Sequence, residues 1–289
     1  MGAEVLAVVL AVVAAFLFTA GLAMQQRANL DAMRSAPGSG SGAGAGAVDV
    51  VRRPMWLLGG AVGLVGFVIE GVALRLGAFL LVVPVLATQL VFMVPCGAWV
   101  VRGRVQRREW IPAILVLVGI VVFEVAFRPE AGRATGTPLA WVLTFAVSAV
   151  AIAALFAAGR LFGSYRAALY GCGAGTWAAL VGALLKEATG ASLWAFAAIV
   201  VAGPLNVVLL NLAVRAGRLS SAQTTVVAIG TVVSLVVGVV VFAETVSLDA
   251  WRIAAGVAAV VAAGWGIAGL ARSPSLLVLD EITHPEAGL

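Results

Sequence analysis

Long apolar runs, each about 20 residues in length and separated by short polar segments, dominate the chain. An α-helix of about 20 residues crosses the roughly 30 Å of hydrocarbon in a bilayer, so each run is long enough to span a membrane. Nine such runs are found, at 5–25, 55–76, 79–101, 110–127, 138–158, 167–185, 192–214, 220–243 and 250–271. They are continuous rather than alternating, which excludes a transmembrane β-barrel. The pattern predicts an all-α polytopic membrane protein with nine transmembrane helices.

Composition supports this interpretation. Hydrophobic residues make up 63% of the chain and charged residues 11%, whereas an ordinary soluble domain has about 45–50% apolar and about 25% charged residues. This excludes a soluble enzyme and a disordered chain. The net charge of +5 does not predict a nucleic-acid partner, because the basic residues flank the apolar runs. With two cysteines and a single histidine, His284, we predict no cofactor and no enzymatic activity, and the predicted partner is the lipid bilayer.

The segments outside the main apolar runs divide the chain further. The run within residues 1–25 is predicted to be a transmembrane helix rather than a cleaved signal peptide, because Glu4 stands where a signal peptide has basic residues. Residues 26–54 contain Gly-, Ser- and Ala-rich stretches and predict a flexible cytoplasmic linker. Residues 272–289 are predicted to form a short cytoplasmic tail.

The basic residues divide unequally between alternate loops, which predicts the orientation of the chain. The richer set consists of Arg27, Arg34, Arg52, Arg53, Arg102, Arg104, Arg107, Arg108, Arg160, Arg166, Arg215, Arg218 and Arg272. The poorer set consists of Arg75, Arg128, Arg133, Lys186 and Arg252. Cytoplasmic loops are enriched in Lys and Arg, so the richer set is predicted to be cytoplasmic. We therefore expect a multi-pass protein of the cell membrane with its N-terminus outside and its C-terminus in the cytoplasm.

Two short segments match each other at a constant offset. Residues 73–77 (Ala-Leu-Arg-Leu-Gly) correspond to residues 213–217 (Ala-Val-Arg-Ala-Gly), and the same offset carries Glu109 onto Asp249. Three spans of the first half therefore resemble three spans of the second half. A chance match among Ala, Val, Leu and Gly is the alternative explanation.

The repeat predicts two units with opposite orientations in the bilayer. The first copy covers 55–127 and the second 192–271, the latter within a five-helix second half at 138–271. The copies begin at the second and the seventh helix, and an odd separation inverts one copy relative to the other. Inverted repeats are typical of secondary transporters, whose sites lie near the bilayer midplane where the copies meet.

The residues of the first copy also resemble a known family. An Ala-rich helix end at residue 73, a short turn and the proline-bearing stretch Leu-Val-Val-Pro at 81–84 are similar to the drug/metabolite transporter superfamily (EamA-like domains). This stretch is most similar to the branch of NIPA-like magnesium transporters. Glu244 matches the acidic residue that closes the penultimate helix in the superfamily.

The resemblance implies a secondary transporter that moves a small solute or a cation by alternating access. A NIPA-like transporter of divalent cations, with magnesium as the substrate, is one alternative. A non-transporting membrane scaffold or accessory subunit is another. The substrate, the direction of transport and the oligomeric state are left open.

Glu70 is the charged residue that the topology does not explain. It lies inside the second span, where an acidic side chain costs about 2.5–3.5 kcal/mol and is a functional-site hypothesis by default. A carboxyl group in low dielectric could carry a proton, and Glu70 could equally be a metal ligand through its oxygen atoms. The alternatives are a glutamate that reaches the interface or one that pairs with Arg75. For Glu124, an i,i+4 pair with Arg128 is the simpler explanation.

Neutral polar residues predict the rest of a substrate or coupling-ion path. The candidates lie in equivalent helices of the two copies, and they are Thr88, Gln89, Asn206, Asn211 and Thr224. Pro84 and Pro204 are predicted to kink their helices, because proline cannot donate the backbone hydrogen bond. The alternative is that the polar side chains only hold helices together.

Three further charged residues are predicted to have no functional role. Lys186, Glu187 and Glu244 directly follow apolar runs. We expect them at the outer ends of their helices, solvated, as markers of topology.

Overall fold

The computed structural model describes residues 2–35, 52–100, 107–127, 129–216, 219–245 and 249–270. These residues form helices joined by short connections, with a single isolated antiparallel bridge between Glu130 and Thr245. The helices are α1 (Gly2–Ser35), α2 (Pro54–Leu76), α3 (Phe79–Leu86), α4 (Gln89–Val100), α5 (Arg107–Phe127), α6 (Pro138–Leu161), α7 (Arg166–Thr189), α8 (Leu193–Arg215), α9 (Leu219–Phe242) and α10 (Ala250–Leu270).

Within these residues, eight helices are long and apolar enough to cross a membrane, with α3 and α4 together making one of them, Phe79–Val100. The chain is therefore an all-α, multi-pass membrane protein, as predicted. The predicted ninth span corresponds to α10, whose apolar stretch Ala250–Gly266 is shorter than that of the other eight. A ninth crossing stays a prediction.

Helix α1 continues well beyond the apolar run that predicted it. It ends at Ser35, so the first ten residues of the predicted linker are helical, and that boundary was wrong. The extension contains good helix formers and an i,i+4 contact of 3.9 Å between Arg27 Nε and Asp31 Oδ2. Polarity ends a membrane span, but it does not end a helix. The linker residues 36–51 lie outside the described part of the chain.

The third span is broken near its middle, close to the predicted kink at Pro84. Helix α3 ends at Leu86 and α4 begins at Gln89. Tight i→i−3 hydrogen bonds bridge the break, from Ala87 N to Pro84 O and from Thr88 N to Val85 O, both 3.0 Å. Pro84 has no N–H to donate to the carbonyl oxygen of Leu80, and the irregular hydrogen bonds follow it within one turn. Helix α8, in contrast, continues without a break through Pro204, whose ring is exposed.

The helices pack in two similar sets. Helix α1 lies along α2 and also contacts α3 and α4, while α7 lies along α8 and α9. Between the sets, α5 lies along α10, and α3 contacts α9. Helix α6 packs mainly on α7 and has no counterpart in this pattern.

Glycines allow the closest of these approaches. A methyl group on Gly21 of α1 would lie 2.5 Å from the Gly59 carbonyl oxygen of α2, and one on Gly175 of α7 would lie 2.5 Å from the Val226 carbonyl oxygen of α9. Both contacts are too short for any larger residue. Small residues at such crossings are typical of membrane helices.

The helix bundle has two ends. The Glu244 end is where α2, α5, α7 and α9 finish and where α3 and α6 begin; the loop of residues 129–137 lies there. The Arg27 end is the opposite one, where α4 finishes and α5 begins, and where Arg27 contacts the last carbonyl groups of α4.

Candidate functional site

Glu70 is buried between helices rather than directed to an interface. Its side chain lies in the contact between α2 and α7 and is only 8% exposed. A methyl group on Gly182 of α7 would lie 3.8 Å from Glu70 Oε1 and 3.8 Å from Cε2 of the Phe79 ring. Among the described residues, no hydrogen bond or ion pair to Glu70 is found. Arg75, its proposed partner, is exposed, so neither structural alternative describes Glu70.

The prediction for Lys186, Glu187 and Glu244 was wrong. These side chains are 5%, 2% and 2% exposed, respectively. The apolar run at 167–185 ends at the first charge, but α7 itself continues through Thr189 and carries both Lys186 and Glu187 into the bundle. Buried charges in a membrane protein face the bundle interior and pair with one another. Lys186 and Glu244 form such a pair, whereas Glu187 accepts hydrogen bonds from neutral donors.

Glu244 holds together three helices at once. Its Oε1 accepts a hydrogen bond from Lys186 Nζ of α7. The same oxygen accepts one from Phe79 N at 2.6 Å, and Oε2 accepts one from Leu80 N at 2.7 Å. Phe79 and Leu80 begin α3, where the first N–H groups have no partner within the helix and where the helix dipole favours negative charge. Glu244 thus satisfies two backbone donors and one ammonium group.

The end of α9 directs Glu244 inward. Helix α9 finishes at Phe242, and Ala243 adopts a left-handed conformation with φ of 50°, which costs an alanine about 1–2 kcal/mol. Glu244 N then donates a hydrogen bond back to Gly238 O at 3.2 Å. A methyl group on Gly238 would lie 2.9 Å from Leu80 Cγ, so the glycine makes room for the start of α3.

Two phenylalanine rings surround the ammonium group of Lys186. Its Nζ lies 4.6 Å from the ring centre of Phe242 and 5.9 Å from that of Phe79. Both rings are fully buried. The negative faces of aromatic rings stabilise a cation, so the rings and Glu244 replace the water that an exposed lysine would have.

Glu187 ties the loop of residues 129–137 to the same region. Its Oε2 accepts hydrogen bonds from Gly136 N at 2.7 Å and from Trp141 Nε1 at 3.1 Å. The loop is also bound to the end of α9, because Arg133 N donates to Phe242 O at 2.6 Å. The loop therefore covers the buried charges at the Glu244 end.

The predicted polar path is brought together only in part. Thr88 is buried at the break in the third span, and its hydroxyl has no hydrogen-bond partner in the part of the chain that the structure describes. The main-chain carbonyl of Gln89 accepts a hydrogen bond from Thr19 Oγ1 at 3.1 Å. Asn206 is half-buried on α8. The side chains of Asn211, Thr224 and Glu124 lie outside the described residues.

A cavity of about 170 Å³ lies between α3, α5, α9 and α10 and is partly open to the outside of the bundle, where Val232 and Gly264 are exposed. Pro84, Ala87, Phe123, Thr231, Val232 and Gly264 are among the residues that line it. The lining is apolar except for Thr231, whose hydroxyl donates to Val227 O at 2.9 Å. Of the predicted path and kink residues whose side chains the structure describes, Pro84 alone is among the lining residues.

An observable pattern could have identified the buried charges from the sequence. A lysine, two glutamates and the ends of two apolar runs fall on the same predicted side of the membrane. Opposite charges at equal depth in the membrane can pair. The prediction that each of them is solvated left such pairing out. The capping role of Glu244 has no such signature, because Phe79 is 165 residues away along the chain.

Comparison with known proteins yields one relative of limited coverage. A protein of Corynebacterium glutamicum described as uncharacterized is 29% identical over 140 residues, which make up 46% of this chain and 45% of the relative. The matched region thus spans less than half the length of that relative. No protein-family model matches the chain, and no solved structure matches it.

Proposed function

We propose that the chain is a secondary transporter of the drug/metabolite transporter type, moving a small solute by alternating access. The observation that carries the proposal is the similar packing of two sets of helices: α1 with α2, α3 and α4, and α7 with α8 and α9. The contacts of α5 with α10 and of α3 with α9 join the sets at equivalent elements. This is the arrangement expected of two inverted copies, and it agrees with the offset match in the sequence.

The cavity supports the same proposal. It lies where the two sets meet, and it borders the broken third span. Transporters commonly place their sites at the repeat interface near the bilayer midplane and build them from discontinuous helices. Because the lining is apolar, the cavity suits the apolar part of a solute better than a hydrated ion.

Glu70 is our candidate for the coupling residue. A carboxylate that is buried without a counter-ion among the described residues is costly in a membrane, and a proton removes its charge. A divalent cation is less well supported, since no group of three His, Cys, Asp or Glu side chains that could hold a metal is found in the described ranges. We therefore favour a proton as the coupling ion.

The unequal basic loops predict which way the bundle faces. The Glu244 end carries the poorer set of basic residues and, by the positive-inside rule, faces the outside of the cell. The N-terminus is then outside and the C-terminal tail is in the cytoplasm.

Proteoliposomes with an entrapped pH-sensitive dye test the proposal. Aromatic amino acids, alkylamines, short-chain carboxylates and MgCl₂ are added outside in turn, and solute-driven proton movement is recorded. We expect at least one solute with an apolar group to drive proton movement, and the Glu70→Gln variant to abolish it. The matched control is Glu130→Gln, which alters an exposed glutamate and should leave the flux unchanged. No flux with any probe in the wild type would favour a membrane scaffold instead.

Filling the cavity tests its role in the same assay. A methyl group on Gly264 would have no heavy atom within 4 Å, so Gly264→Leu can occupy the cavity without a clash. Gly203→Leu is the control, because Gly203 is equally open but lies on α8, away from the cavity. We expect the Gly264 variant alone to lose transport. Equal flux in both variants would exclude the cavity as the solute site.

A further inference from the structure

We propose that Lys186 is the moving charge of a gate at the Glu244 end. In this proposal it exchanges between Glu244, which holds the gate shut, and Glu70, which lies one helical turn deeper. The inference rests on the proposed function and deepens it, because it connects the state of Glu70 to the opening of one end of the bundle.

The closed position is the one that the structure shows. Glu244 joins the start of α3, the end of α7 and the end of α9 through Phe79 N, Leu80 N and Lys186 Nζ. Each of these donors is buried, and a buried donor without a partner costs about 1–3 kcal/mol. The three elements therefore stay together as long as Glu244 keeps its partners.

Glu70 lies within reach of the same ammonium group. Gly182 and Lys186 are four residues apart on α7 and share one helix face. Side chains on an α-helix can lean toward its N-terminal end, and from Lys186 that is the direction of Gly182 and of the Glu70 carboxyl group beside it. One turn rises about 5.4 Å, a distance that the four-carbon stem of a lysine can cover. Phe79 borders both positions, next to Glu70 and 5.9 Å from Lys186 Nζ.

The charges of the cluster do not balance, and this makes the exchange possible. Two carboxyl groups, of Glu70 and Glu244, share one ammonium group, and an uncompensated buried charge is strongly unfavourable. A neutral Glu70 leaves Lys186 with Glu244. A Glu70 that has lost its proton competes for Lys186 and weakens the attachment of α3 to α7 and α9.

The other charged groups nearby do not compete for Lys186. Glu187, on α7 itself, is bound to Gly136 N and Trp141 Nε1 of the loop and α6. Arg75 on α2 and Glu4 on α1 are exposed. Helix α3 brings no charged side chain, and Glu244 is the charge that follows α9.

Cysteine accessibility tests the gate without any need for a transported substrate. In a background of Cys96→Ala and Cys172→Ala, Ala78→Cys places a thiol in a buried position directly before α3. The protein is held in lipid nanodiscs and treated with a membrane-impermeant maleimide over a range of pH values. At each pH the rate is divided by that of Ala131→Cys, an exposed position in the loop of residues 129–137, which corrects for the ionisation of an exposed thiol. Glu70→Gln in the same Ala78→Cys background then separates opening of the gate from the ionisation of the buried thiol.

The variants are expected to change the labelling of Ala78→Cys in different directions. In the wild-type background the normalised labelling of Ala78→Cys rises with pH, as Glu70 loses its proton. Lys186→Met raises labelling at low pH by about tenfold, which corresponds to about 1.4 kcal/mol in the gate equilibrium. Lys186→Arg keeps the cation and restores low labelling. Glu70→Gln removes the competing carboxylate, and labelling stays low at every pH.

Two results would overturn the inference. One is a Glu70→Gln variant with the same pH dependence as the wild type. The other is a folded Lys186→Met variant, eluting as a single species, whose labelling equals that of the wild type. Because Glu70→Gln is isosteric and leaves the Lys186–Glu244 pair untouched, the test stands even where Lys186→Met does not fold. If the labelling changes as expected but the protein shows no solute-driven flux, the result contradicts the proposed function and leaves the gate standing.

Discussion

The third span, Phe79–Val100, is held at both ends by a charged side chain from another helix, and the two attachments differ in their surroundings. At its start, Glu244 accepts two hydrogen bonds from backbone N–H groups. At its end, Arg27 donates to the carbonyl oxygens of Trp99 at 2.7 Å and Val100 at 3.4 Å. In both cases the sign of the charge is the one that the helix dipole favours.

The difference lies in access to water. Glu244 is fully buried and bound to Lys186, whereas the Arg27 side chain keeps 12% exposure beside the more exposed Asp31. A buried charge that loses its partner cannot be solvated, while an exposed one can. The charge that holds the third span is therefore required for stability at the Glu244 end, whereas it contributes little to stability at the Arg27 end.

The largest effect is expected from removing the buried carboxylate. Glu244→Ala leaves Lys186 and the N–H groups of Phe79 and Leu80 without a partner, and should lower the free energy of unfolding by about 3–5 kcal/mol. Unfolding by SDS in mixed micelles, followed by circular dichroism, measures the loss. Glu130→Ala is the control at an exposed site. If Glu244→Ala lowered the free energy of unfolding by less than this control does, the carboxylate would not be required at the Glu244 end.

A double-mutant cycle on the buried pair should give the next largest effect. Lys186→Met leaves Glu244 without its counter-ion, and Glu244→Gln leaves Lys186 without one, whereas the double variant removes both charges of the pair. We expect the double variant to be more stable than the sum of the single effects by about 2 kcal/mol or more. Additive effects in the same SDS titration would mean that the two side chains act independently.

A smaller effect is expected at Glu187, which holds the loop rather than the helices. Glu187→Gln keeps an acceptor for Gly136 N and Trp141 Nε1 but loses the negative charge, so the loss of stability should be about 1–3 kcal/mol. Tryptophan fluorescence is recorded with and without Trp141→Phe, so that the difference isolates the emission of Trp141. A change of this emission in Glu187→Gln reports the weakened bond to the indole. An unchanged Trp141 contribution would show that Glu187 does not bind the ring in solution.

The smallest effect is expected at the Arg27 end, where the attachment is partly exposed. Arg27→Gln should lower the free energy of unfolding by less than about 1 kcal/mol, because water replaces the lost contacts with Trp99 and Val100. The SDS titration used for Glu244→Ala gives the comparison directly. A loss as large as that of Glu244→Ala would remove the distinction between the two ends.

Hydropathy was sufficient to predict where most helices lie, because a span long enough to cross the bilayer needs a continuous apolar run. An irregularity close to Pro84 could be expected, since proline removes a backbone donor, but the break at residues 87–88 could not, because α8 continues through Pro204 under the same rule. The burial of Glu70 could be anticipated for a related reason: it lies within an apolar run and not at its edge.

The surroundings of Lys186 and Glu244 could not be predicted in the same way. A hydropathy run stops at the first charge, whereas the burial of that charge depends on partners supplied by other helices. Phe79 meets Glu244 across 165 residues of sequence, and no local pattern encodes that contact. The length of α1 was missed for a different reason, because polar residues with high helix propensity end a span without ending its helix.

Alternating access requires that one end of the bundle closes when the other opens, and labelling both ends of one protein measures this. In the cysteine-free background, Ala78→Cys reports on the Glu244 end, and Ala98→Cys, a buried position on α4, reports on the Arg27 end. Each is labelled in nanodiscs with and without Lys186→Met. If access alternates, Lys186→Met raises labelling at residue 78 and lowers it at residue 98. A rise at both positions, or no change at either, would contradict it.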